Sequence, residues 1–94
     1  MPLHTAAETA LELDSEKRLL LKAEADIETG WSRVRNQEDL VTSLRMSGHN
    51  TTEAERLVQL MKRTLIEWER HRQLIEQRIA FLQARGSASD REKF

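Results

Sequence analysis

Apolar residues recur at heptad spacing on both sides of one short interruption, Gly48-His49-Asn50, and that pattern leaves few folds open. Before it, Leu13, Leu20, Ile27, Val34 and Val41 fall every seven residues, and Ala23, Gly30, Gln37 and Leu44 interleave three residues later. After it, Ala54, Met61, Trp68, Ile75 and Leu82 form one series, and Val58, Leu65, Arg72 and Ile79 form the other. Alternating steps of three and four residues keep all of these on one stripe of an α-helix. Gly48 can take the left-handed conformation that ends a helix. A turn of a few residues between two long helices makes them antiparallel neighbours. The expected fold is therefore all-α, an antiparallel, coiled-coil-like two-helix hairpin.

The spacing predicts helix 1 over about 13–46, a turn at 47–51 and helix 2 over about 52–85. Residues 1–12 form an N-terminal segment, partly ordered or a helical extension. Within it, Thr5-Ala-Ala-Glu8 has the spacing of a capping box, in which hydroxyl and carboxylate satisfy two free N–H groups. Helix 2 has two candidate boxes, Asn50 with Glu53 and Thr52 with Glu55, and the sequence does not choose between them. Residues 86–94 begin with a helix breaker and carry no apolar period, which predicts a flexible C-terminal tail.

Antiparallel pairing through so short a turn fixes a register. Leu44 faces Ala54, Val41 faces Val58, Gln37 faces Met61 and Val34 faces Leu65. Gly30 then falls opposite Trp68, where an indole needs room. A glycine costs roughly 1 kcal/mol in a helix interior, so its presence there supports the register. Ile27 falls opposite Arg72, Ala23 opposite Ile75 and Leu20 opposite Ile79. Arg72, the charged member of the seam, is expected to reach Asp26 or Glu24 across the hairpin. Buried polar residues such as Gln37 and Arg72 can fix register or oligomeric state.

Two helices enclose little interior, so further burial by association is expected. A second stripe of helix 2 supplies a face: Leu57, Leu60, Leu74 and Phe81, with Thr64, Glu67, His71 and Arg78 between and after them. Helix 1 adds Leu19 and Leu40, with Asp26 and Arg33 between. The face is apolar near the turn and near the open end, and polar in its middle. A homodimer forming a four-helix bundle is the common solution to such a pattern. Docking on an unidentified protein partner is the other use of the same face.

Composition narrows function further. The chain has no cysteine, so thiolate metal sites and disulfides are excluded. No apolar run approaches the roughly 20 residues of a membrane span, and no secretory signal pattern opens the chain. A cytoplasmic location is expected, with no membrane association. The net charge of −1 gives no general attraction to anionic surfaces. Metal and cofactor binding are not expected, because His4, His49 and His71 lie too far apart to share an ion.

Catalysis is not expected either. Glu67, Glu69, Arg70 and Arg72 could be read as an acid–base group, but shifting their pKa values needs an enclosed pocket that two helices do not form. Histidine-kinase dimerisation hairpins carry a phospho-accepting histidine followed by an acidic residue. Here Arg70 and Arg72 flank His71, which removes that base. The runner-up function is a nucleic-acid-associated or transcription-linked accessory protein. Its motive is helix 2, where seven basic residues (Arg56, Lys62, Arg63, Arg70, Arg72, Arg78 and Arg85) oppose five acidic ones between Thr52 and Arg85. That excess is smaller than the basic stripe phosphate binding usually needs.

Asp26-Ile27, Gly30, Val34, Gln37, Leu40-Val41, Leu44, Gly48-His49-Asn50-Thr51, Ala54, Leu57, Leu65, His71-Arg72 and Ile75 together resemble a group of short, uncharacterised proteobacterial proteins. In these a Gly-His-Asp/Asn-Thr turn joins two helices. The resemblance covers about residues 24–80. It implies the hairpin and a bacterial, cytosolic setting, and carries over no functional residues.

Overall fold

The computed structural model describes residues 5–92, with side chains described for 5–86. It contains α1, Ala6–Met46, and α2, Thr52–Glu92, packed against each other as a two-helix hairpin. Each helix has 41 residues, about 60 Å at 1.5 Å per residue. The molecule measures 73 × 20 × 16 Å.

Helix α1 starts earlier than the strict apolar pattern. The Thr5 hydroxyl accepts from the Glu8 N–H at 3.1 Å, and the Glu8 carboxylate accepts from the Thr5 N–H at 3.4 Å. The capping box expected at Thr5 thus sets the helix start, and the segment before residue 13 is a helical extension from Ala6. The expected tail at 86–94 is corrected over its described part. Gly86 does not break α2, which continues to Glu92. Glycine lowers helix propensity without removing a hydrogen bond, so the helix continues through it. Residues 1–4, 93 and 94 lie outside the described residues.

The turn is held by backbone hydrogen bonds at the end of α1. Gly48 takes φ +77°. The Gly48 N–H donates to the Arg45 carbonyl at 3.1 Å and the His49 N–H to the Leu44 carbonyl at 2.9 Å. These are the two bonds of a Schellman motif, which satisfies carbonyls left free at the end of α1. Asn50 then opens α2 by accepting the Thr52 N–H on Oδ1 at 2.9 Å. The carboxylates of both candidate boxes are engaged elsewhere, Glu53 by Arg56 and Glu55 by Arg45.

The seam follows the expected register. Val34, Val41, Val58 and Leu65 form a buried cluster against which Trp31, Ala54 and Met61 pack. Ile27, Ile75, Ile79 and Leu82 are also buried, while Leu20, Gly30, Gln37, Leu44 and Arg72 are half-buried. At Gly30 the fit is closer than the sequence implies. A Cβ there would lie 2.3 Å from Leu65 Cδ2 and 3.5 Å from Trp68 Cζ3. Gly30 and Trp68 are neighbours, but Leu65 takes most of the room the glycine leaves. Trp68 remains 41% exposed.

Arg72 departs from expectation. Its Nε lies 3.3 Å from Glu76 Oε1, one turn along the same helix, and not against Asp26 or Glu24. Asp26 is engaged by Lys22 at 2.9 Å. The Arg72 Nε is buried and lacks hydrogen-bond geometry to any acceptor. An i, i+4 partner needs no reach across the seam, which explains why the local pair wins.

Candidate interaction surface

The seam divides the hairpin into two long flanks of opposite character. Residues that come one position after the inner seam positions form the first flank: Trp31, Glu38 and Arg45 on α1, and Glu55, Lys62 and Glu69 on α2. They pair in order along the molecule. Arg45 bridges to Glu55, Lys62 Nζ lies 3.3 Å from Glu38 Oε2, and Trp31 Nε1 donates to Glu69 Oε1 at 3.1 Å. Each bond joins the helices, and between the Glu38–Lys62 and Arg45–Glu55 pairs lies an open cleft of about 510 Å³ with Val41 and Val58 in its lining.

The second flank is the face singled out from the sequence. Leu19, Asp26, Arg33 and Leu40 of α1 run beside Leu57, Thr64, His71 and Arg78 of α2, with Leu60, Glu67, Leu74 and Phe81 one step further round. All of these are exposed; Leu60 and Leu74 are each 58% exposed and Phe81 62%. Trp68 joins them from the seam. A cleft of about 240 Å³ opens beside Gly30, lined by Leu57, Leu60, Met61, Leu65 and Trp68, with Arg33 and Thr64 at its polar margin. Nearer the open end, His71 and Asp26 line a smaller cleft of about 150 Å³ with Ala23 and Trp68. The structure therefore brings the sequence-chosen face together on one side. The other exposed apolar residues, Leu11, Leu21, Met46 and Ile66, fall at helical phases away from it.

Three participants escape the apolar pattern of the sequence. Thr9 is buried, and the Glu16 carboxylate receives Arg78 Nε at 2.9 Å. Both continue the series Ala23, Gly30, Gln37, Leu44 backward by sevens, so the signal is present in the phase and hidden by polar side chains. Trp31 is the third. Its signal is a position facing Glu69 in the same register.

The basic residues of α2 do not form a free stripe. Arg56, Lys62, Arg70, Arg72 and Arg78 pair with Glu53, Glu38, Glu67, Glu76 and Glu16 respectively. Among the described residues no three His, Cys, Asp or Glu side chains converge as a metal site. No described helix is long and apolar enough to cross a membrane. Comparison with protein-family models, curated proteins and solved structures gives no match.

Proposed function

We propose that this chain is a small, non-enzymatic helical interaction module of the cytoplasm that works by homodimerising or docking a partner. The contrast between the two flanks carries the proposal. One side of the hairpin is bridged by interhelical ion pairs and a hydrogen bond and lined mainly by polar side chains. The other presents leucines, a phenylalanine and a partly exposed tryptophan along the length of α2. Exposed apolar patches rimmed by polar residues mark interaction sites, and this face carries one near the turn and one near the open end. The nucleic-acid reading is less favoured, because carboxylates already neutralise five of the seven basic residues of α2.

The test is Leu60→Glu combined with Leu74→Glu, read by sedimentation equilibrium and by circular dichroism. Both side chains point away from the seam, so the double variant keeps its helicity. It is expected to sediment as a monomer where the parent sediments as a dimer or as a complex with its partner. Two stable monomers and no partner recovered by the parent would end the proposal.

A further inference from the structure

The exposed face of α2 is a second heptad seam. Leu57, Leu60, Thr64, Glu67, His71, Leu74, Arg78 and Phe81 alternate steps of three and four residues, and all are exposed. This stripe is rotated by about 110° from the inner seam, at 100° per residue. That is the angular relation a helix needs to contact two neighbours in a four-helix bundle. We infer that the occupant of this face is a second copy of the chain, packed with its α2 antiparallel to the first α2 about a two-fold axis beside residue 69. The inference rests on the proposed interaction module and specifies its geometry.

The axis is set by the pattern. A closed dimer uses the same patch on both copies, so the seam must be self-complementary. The run from Leu57 to Phe81 is centred on residue 69, and only that antiparallel register keeps all of it in contact. Leu57 of one copy then meets Phe81 of the other, and Thr64 meets Leu74. The aliphatic stem of Arg78 lies along Leu60 while its Nε stays on Glu16 of its own hairpin. At the centre Glu67 meets His71, twice, once on each side of the axis. The apolar turn end, with Leu40, covers the apolar open end of the other copy, with Leu19.

Charge disfavours the parallel alternative. A two-fold axis along the helices sets each residue against its own copy. Glu67 would face Glu67, and Arg78 would face Arg78, with no cation in the stripe opposite either carboxylate. Like charges placed opposite one another across a helical interface disfavour that pairing. The antiparallel arrangement puts carboxylate against imidazole instead.

Because the chain has no cysteine, spin labels can be placed singly. Arg70→Cys, Gln77→Cys and Ala84→Cys lie at exposed positions that share one helical phase outside both seams. Pulsed dipolar spectroscopy of each labelled full-length variant reads the separation of the two copies. An axis at residue 69 gives axial separations of about 3, 24 and 45 Å, at 1.5 Å rise per residue. These sit on a lateral offset common to the three sites. Distances rising in that order support the inference. Equal distances at all three sites would show a parallel dimer, overturning the geometry while leaving the interaction module standing. A minimum far from residue 70 would overturn the register. Monomeric mass with no dipolar coupling at any site would remove self-association itself.

Discussion

Gly30→Ala gives the sharpest test of how the seam is packed. Two terms oppose each other. Alanine gains roughly 1 kcal/mol over glycine in a helix interior. Against this, the new Cβ would stand 2.3 Å from Leu65 Cδ2 and 3.3 Å from Leu65 Cγ. Ordinary carbon contacts begin at about 3.5 Å, so the methyl must move by more than about 1 Å. Leu65 is only 2% exposed, and the methyl has buried neighbours to move into. Overpacking of this kind costs about 1–3 kcal/mol. The expected net loss is about 1 kcal/mol, or about 4–8 °C in Tm for a domain of this size. Leu65→Val removes the δ-methyl that the new Cβ would strike. In that background the same Gly30→Ala change should stabilise by up to about 1 kcal/mol. The sign therefore reverses between backgrounds, a coupling of about 2 kcal/mol in a double-mutant cycle. Urea denaturation followed by circular dichroism, at one fixed protein concentration, measures it. If Gly30→Ala stabilises the parent as much as the Leu65→Val chain, the close approach of the helices at Gly30 is refuted.

Other residues give independent checks. Glu69→Ala leaves the half-buried Trp31 indole N–H without its acceptor and should cost about 1 kcal/mol. Glu69→Gln retains an acceptor and should be close to neutral in the same urea titration. Arg72→Leu replaces a buried Nε that lacks a hydrogen bond with an apolar seam residue, and should raise stability by about 1 kcal/mol in thermal melts. Thr5→Ala removes the capping-box hydroxyl, costing about 1 kcal/mol locally. Hydrogen exchange should speed in the first turns of α1 and stay unchanged near Val34.

Much of this architecture is written in the sequence, because the seam and the turn depend on residue type at fixed spacing. Leu44 to Ile79 obey a simple antiparallel register, and Gly48 has the φ its role requires. The exposed stripe is legible for the same reason. Three things are less legible. Polar residues conceal the seam's continuation through Glu16 to Thr9, since a hydrophobic pattern cannot register a buried threonine. Gly86 reads as a stop, yet a long helix tolerates the cost of about 1 kcal/mol that a glycine imposes. The partner of Arg72 is ambiguous in the sequence because local and cross-helix carboxylates both lie within reach, and spacing does not rank them. Purpose is least legible of all, since the second face indicates association without naming the process it serves.

Small-angle X-ray scattering on an absolute intensity scale tests the central claim, that the hairpin associates side by side through the exposed face of α2. The account predicts a particle mass twice the 11.0 kDa of the chain, with a maximum dimension still close to the 73 Å of one hairpin. The axis beside residue 69 lies near the middle of α2, so doubling the mass adds width and almost no length. A mass of 11.0 kDa at every concentration, or a doubled mass in a particle of nearly doubled length, would contradict it.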